Sequence, residues 1–169
     1  MKKAITILLI FACVFSLFGC DADREELKKP VTVYYKRAQM GYGTSDSVIA
    51  TYALEAVGHE TDTAFLLQKY LHGPDSSDFS ATFPSGTALI SYQLEGLTAK
   101  VVLSDQFATL TGIDLSVACA CLSKTIMSLT DCREVIIRAE HAQLDNNNFI
   151  TISSNSYLLQ DLISTNENH

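Results

Sequence analysis

The chain has 169 residues and is acidic, with 12 basic and 19 acidic residues and a formal charge of −7. A chain of this length can bury a sizeable core, so we expect one globular domain. The charge argues against nucleic-acid binding, because that activity needs a surface rich in Lys and Arg.

The N-terminus has the layout of an export signal. Two lysines precede an apolar run over residues 5–18, which is shorter than the roughly 20 residues of a membrane-spanning helix. The segment 17–20, Leu-Phe-Gly-Cys, resembles the lipobox of bacterial lipoproteins, whose cysteine receives a diacylglyceryl group and becomes the first mature residue. We therefore predict a signal peptide over residues 1–19 and lipid attachment at Cys20. The alternatives are a plain secretory signal or a transmembrane helix.

Removal of residues 1–19 leaves 10 basic and 19 acidic residues, a formal charge of −9. An acidic domain is weakly repelled by anionic lipid, so the two acyl chains of the expected anchor must supply the membrane affinity. Residues 20–30 are charged and lack apolar periodicity, and they predict a lipidated tether that reaches about 30 Å at most. We expect the domain on the extracytoplasmic face of the cell membrane, close to the bilayer.

The first three elements of the domain follow the tether. Residues 31–36 are rich in β-branched and aromatic side chains and predict a strand. Residues 47–57 predict a second extended segment, although their Ala and Leu content leaves a helix as the alternative. Residues 61–72 predict a helix, because Thr61 or Asp62 can cap its start and a glycine and a proline follow its end.

Residues 88–94 and 97–103 predict a β-hairpin. Glu95 and Gly96 form the expected two-residue turn, with glycine second. Ser104 and Asp105 then predict a cap and turn. Phe107 would anchor this turn in the core. The expected register puts one apolar face inward and pairs Leu94 with Leu97, Tyr92 with Ala99, Ile90 with Val101, and Ala88 with Leu103.

The second half of the chain predicts a long helix and two more strands. Residues 114–129 carry apolar side chains at helical spacing, which predicts an amphipathic helix. Residues 134–140 and 149–153 predict strands, joined by a loop over 145–148 whose Asp and Asn residues tolerate left-handed backbone. The apolar stripe of the helix consists of Leu115, Ala118, Cys119, Leu122, Ile126 and Leu129.

The order of these elements is strand, strand, helix, strand, strand, helix, strand, strand. It predicts an α+β domain over residues 31–160, with an antiparallel sheet and two helices packed on one of its faces. Residues 161–169 predict a polar C-terminal tail.

The cysteines and histidines do not form a recognisable catalytic or metal-binding motif. Cys119 and Cys121 point about 200° apart around their helix, so they do not readily share a metal or form a disulfide. No histidine lies at ligand spacing from Cys132 or the other thiols. The four histidines are scattered at positions 59, 72, 141 and 169. We therefore predict no catalytic residue, no metal site and no cofactor.

Several motifs occur in an order that resembles the GerMN domain family. They are residues 70–74 (Tyr-Leu-His-Gly-Pro), 83–87 (Phe-Pro-Ser-Gly-Thr), 103–107 (Leu-Ser-Asp-Gln-Phe) and 112–115 (Gly-Ile-Asp-Leu). The resemblance spans residues 31–159. It implies a single extracytoplasmic, non-catalytic domain that serves sporulation or germination. The implied fold is similar to the ring-building motifs of secretion-type machines, which pack side by side.

Three functional hypotheses follow from these observations. The first is a lipid-anchored interaction module that contacts envelope proteins, with self-association possible and no nucleic acid involved. Its surface would be the second face of the sheet or the outer sides of the helices. The second is a lipoprotein that binds a small ligand. The third is a thiol-dependent envelope enzyme that uses Cys121 or Cys132 with a histidine.

Overall fold

The computed structural model describes residues 30–39 and 48–157. The helices and strands lie within three residues of their predicted bounds at every end. The expected signal peptide, Cys20, the tether up to residue 29 and the tail over 161–169 lie outside the described residues. The elements are β1 (Val31–Lys36), β2 (Ile49–Leu54), α1 (Thr63–Leu71), β3 (Leu89–Glu95), β4 (Thr98–Leu103), a 3-10 helix (Asp105–Thr109), α2 (Gly112–Leu129), β5 (Glu134–Ala139), β6 (Ile150–Ser153) and a 3-10 turn (Ser154–Tyr157).

The predicted α+β class is confirmed, but the strands form two sheets in the described part of the chain. Strands β1 and β2 make an antiparallel pair, and β3, β4, β5 and β6 make a four-stranded sheet in that order. The expected antiparallel pairing holds for β3–β4 and β5–β6 but not for β4–β5, which run parallel. The reason is the connection: α2 carries the chain back to the starting edge of β4, and parallel strands need such a crossover.

The predicted register of the β3–β4 hairpin is wrong by two residues. Glu95 pairs with Thr98, so Gly96 and Leu97 form the turn and glycine comes first, not second. Gly96 has a φ of +61°, a conformation that a primed hairpin turn requires at this position. Because the shift is an even number of residues, Ala99 and Val101 still point inward and are fully buried.

A bulge changes the start of β3. The register shifts between Leu89 and Ser91, so Leu89 takes the place opposite Leu103 that was predicted for Ala88. Ile90 is displaced by the bulge and is 46% exposed, not inward as predicted. Bulges of this kind insert one unpaired residue and reverse the facing of the side chains that precede it.

The core lies between the four-stranded sheet and α2. The predicted inward side chains of β5 are confirmed, because Val135, Ile137 and Ala139 are buried. The predicted stripe of α2 is confirmed as well, with Leu129 partly buried at its end. Among the described residues α2 is long and apolar enough to cross a membrane, but it is the core helix of this domain.

Strand β1 covers a second side of α2. Tyr34 N–H donates to Thr125 Oγ1 at 2.9 Å, and Ser128 Oγ donates to the Thr32 carbonyl oxygen at 2.7 Å. The Tyr35 hydroxyl donates to the Tyr70 carbonyl oxygen of α1 at 2.6 Å. The bond from Tyr35 satisfies a buried hydroxyl group, and all three bonds fix the β1–β2 pair against the two helices.

The two faces of β5 make different contributions to stability. Ile137→Ala should lower the free energy of unfolding by about 2–5 kcal/mol, because it leaves a cavity beneath α2. Its neighbour Ile136 lies on the outer face and is only partly buried. Ile136→Ala should therefore cost roughly 1 kcal/mol or less. Urea unfolding of both variants measures the difference, and equal losses would contradict the assigned faces.

Candidate interaction surface

The thiols do not have the environment of a catalytic nucleophile. Cys119, Cys121 and Cys132 are unpaired and buried. Burial raises the pKa of Cys119 and of Cys121 to about 12, and it also raises the pKa of Cys132. A reactive cysteine needs the opposite: a lowered pKa and access to substrate. The structure therefore gives no support to an enzyme that uses Cys121 or Cys132.

Cys121 is buried although it lies off the apolar stripe. It belongs to the side of α2 that β1 covers, together with Thr125, which is also fully buried and accepts the hydrogen bond from the Tyr34 N–H. These two small side chains allow the strand to approach the helix closely. The sequence pattern shows the apolar side of α2 but not this second, small-residue side.

The described histidines contact no cysteine. His59 stacks on Phe65 with ring centroids 4.0 Å apart, and His72 Nδ1 lies 2.7 Å from the Gln68 carbonyl oxygen. His141 Nδ1 lies 3.3 Å from Asp105 Oδ2. His169 lies outside the described residues. In residues 30–39 and 48–157 no group of three His, Cys, Asp or Glu side chains could hold a metal ion.

The outer face of the four-stranded sheet carries an open groove of about 630 Å³. Its floor consists of the outward side chains of the parallel strands β4 and β5. The register sets Lys100 opposite Ile136 and Val102 opposite Arg138. Its wall is the connection from β5 to β6, which includes Glu140, His141, Ala142, Gln143, Asn148 and Phe149.

A carboxylate from a distant part of the chain holds this wall. Asp105 Oδ1 accepts hydrogen bonds from the backbone N–H groups of His141 at 2.8 Å and Ala142 at 3.0 Å. These bonds, first the one from His141 and then the one from Ala142, hold the pKa of Asp105 below its ordinary value. The predicted turn after the hairpin is confirmed, with Phe107 fully buried, but this clamp on the wall is not visible in the sequence.

The tip of the wall is a tight turn. The backbone groups of Leu144 and Asn147 exchange hydrogen bonds of 2.7 and 2.9 Å. Asp145 and Asn146 have φ values of 48° and 67°, so the predicted left-handed backbone is confirmed. Leu144 is fully buried and fastens the turn to the core. The wall is therefore held at its start by Asp105 and at its tip by Leu144.

The groove combines positive charge with exposed apolar surface. Arg138 is exposed and forms no ion pair with any described residue. Lys100 Nζ lies 2.6 Å from Glu95 Oε2 at the edge of the sheet. Phe149 is 57% exposed. An exposed aromatic ring beside an unpaired guanidinium is a common composition of protein-binding surfaces.

The helices offer less surface than the sheet. Helix α2 is covered on two sides, and its exposed residues lie near its two ends, at positions 112–114, 116 and 128. Helix α1 is short and exposes Phe65, Gln68 and Lys69. The sequence analysis left two candidate surfaces open. The outer face of the sheet exposes side chains from all four of its strands, among them Gln93, Lys100, Arg138 and Thr151.

Residues 25–145 match the family model named Germane, described as sporulation and spore germination. The chain belongs to the Germane family. No curated protein matches it by sequence. A crystal structure described as a "putative lipoprotein" from Clostridium perfringens is 12% identical with a TM-score of 0.48, covering 76% of this chain and 89% of that one. The tandem GerMN domains of the sporulation protein GerM from Bacillus subtilis are 17% identical with a TM-score of 0.46.

The family match confirms the resemblance seen in the sequence motifs. Against the GerM structure the alignment covers 70% of this Germane chain and 41% of the tandem-domain protein. Membership of the family places the chain among proteins of sporulation and spore germination.

Loss of the Asp105 carboxylate should loosen the groove wall. In Asp105→Ala the amides of His141 and Ala142 lose their acceptor, so their hydrogen exchange should accelerate. Asp131→Ala removes another exposed acidic residue and should leave both amides unchanged. Unchanged exchange in Asp105→Ala would contradict the clamp.

The clamp also has a pH signature. Because the native pKa of Asp105 is lowered, its contribution to stability is present above the unfolded pKa and is lost as the pH falls through the native pKa. The thermal midpoint of the wild type should therefore fall more steeply than that of Asp105→Ala below about pH 4.

Proposed function

We propose that this protein is a lipid-anchored, extracytoplasmic interaction module in a sporulation or germination assembly of the cell envelope. It contacts its partner proteins through the outer face of its four-stranded sheet and performs no catalysis. The groove beside Arg138 and Phe149 is the observation that carries this proposal, because a fixed wall and floor hold exposed apolar surface next to a charge that has no ion pair among the described residues. Family membership supports the biological setting.

The anchor is supported by the sequence over residues 17–20. It is also supported by the position of β1, the first strand of the domain. Thr32 lies beside Ser128, near the C-terminal end of α2, which leads into the start of β5. The groove wall follows the opposite end of β5. A tether that enters at residue 30 therefore approaches one end of the domain and leaves the groove accessible at the other.

The absence of catalysis is supported by the environment of the thiols. Their burial and raised pKa values disfavour the thiolate at neutral pH. The groove is open along the sheet, a shape that suits an extended protein segment better than an enclosed small molecule.

The anchor is tested by replacing its cysteine. Cys20→Ser should accumulate as a precursor that keeps residues 1–19 and takes up no labelled fatty acid. Cys13→Ser changes a cysteine inside the expected signal peptide and should be processed and labelled normally. Labelling of Cys20→Ser at the wild-type level would contradict the lipid attachment.

The interaction role is tested with the anchored protein as bait in cross-linked membranes. A specific protein partner should be recovered with the wild type during growth or sporulation. Thr151→Glu adds a charge to the outer face beside Ile136 and should abolish recovery. Ser116→Glu adds the same charge to α2 and should not change it. No partner with the wild type, or loss only with Ser116→Glu, would contradict the proposal.

A further inference from the structure

We infer that the groove takes an acidic, apolar segment of another envelope protein, with a carboxylate paired to Arg138 and an apolar side chain packed on Phe149 and the floor of the groove. This inference rests on the proposed function and specifies the chemistry of the partner.

Arg138 gives the floor of the groove a charge opposite in sign to the formal charge of the chain. Arg138 projects from the floor, and a guanidinium keeps its charge at every physiological pH and binds carboxylates with two parallel hydrogen bonds. The whole chain carries a formal charge of −7. An acidic partner is therefore repelled by most of the surface and attracted to this groove, which favours one docking position.

None of the other ionisable groups described around the groove forms an ion pair with Arg138. Lys100 adds a second cation to the floor, although Glu95 pairs with it at 2.6 Å. Glu140 supplies a carboxylate at the wall, and its Oε2 lies 3.8 Å from His141 Nδ1. His141 also faces Asp105, so both of its carboxylate neighbours lie at the base of the wall. Arg138 keeps no such neighbour among the described residues.

The apolar part of the groove lies directly beside this charge. Val102 is the cross-strand neighbour of Arg138, and Ile136 is the cross-strand neighbour of Lys100. Both are partly exposed, and Phe149 is 57% exposed at the rim. Burial of such a ring by a partner side chain contributes more to affinity than the surrounding polar contacts.

The groove exists before the partner arrives. Asp105 and Leu144 fix its wall, and the paired strands β4 and β5 fix its floor. Binding therefore does not have to order this side of the interface, which lowers the entropic cost of association. An extended segment that alternates acidic and apolar side chains matches the spacing of charges and apolar groups on a sheet face.

The test is site-specific photocross-linking of the full-length, anchored protein in its own membranes. A photoreactive residue replaces Thr151 on the outer face of β6 or, as control, Ser116 on α2. Mass spectrometry identifies the cross-linked segment. We expect adducts at position 151 only, to a protein segment that contains Asp or Glu and apolar residues.

Charge reversal then tests the role of Arg138. Arg138→Glu should lower the adduct yield at position 151 about tenfold or more, and Arg138→Lys should keep most of it. Arg133→Glu reverses another exposed arginine without an ion pair among the described residues, outside the groove lining, and should have little effect. Raising the salt concentration should lower the yield in the wild type.

Four results would overturn the inference. They are a cross-linked segment without carboxylates, an adduct to residues 158–169 of the same chain, an adduct to lipid, and equal losses for Arg138→Glu and Arg133→Glu. Each of these leaves the protein with a contact but assigns it a different occupant or site. The lack of any adduct at either position would instead contradict the proposed function.

Discussion

The packing of α2 between two layers is the constraint on which the rest of the structure depends. Its apolar stripe lies on the four-stranded sheet, and its small-residue side, with Cys121 and Thr125, lies against β1. A helix covered on two sides has few side chains left for contacts outside the domain. The same packing buries the inner face of the sheet and leaves the outer face as the large exposed surface.

This arrangement also explains where the groove lies. Because α2 carries the chain from β4 back to the start of β5, the two strands run parallel and their C-terminal ends meet at one edge. The chain leaves β4 into the 3-10 helix that holds Asp105 and leaves β5 into the wall that Asp105 clamps. One crossover therefore brings together the floor, the wall and the residue that fixes the wall.

Hydrophobic periodicity predicts those parts of the fold in which buried side chains recur at a regular spacing. The α2 stripe and the inward residues of β5 follow from spacing alone. Periodicity does not reveal that the turn of the β3–β4 hairpin lies one residue later than predicted, because a two-residue change of register leaves the alternation of inward and outward side chains unchanged. It does not reveal the bulge at Ile90 either. The parallel pairing of β4 with β5 joins residues 36 positions apart, and so does the bond between Asp105 and His141. Both depend on tertiary packing, which local sequence patterns do not show.

The outer face of the sheet is the proposed interaction surface of this Germane-family protein. Hydroxyl-radical footprinting tests it directly, because Phe149 on that face and Phe65 on α1 are both exposed aromatic rings, 57% and 37% exposed. Oxidation of Phe149 should fall in native membranes relative to the purified protein, and oxidation of Phe65 should stay the same. Equal oxidation of Phe149 in both states, or protection of Phe65 alone, would contradict the account.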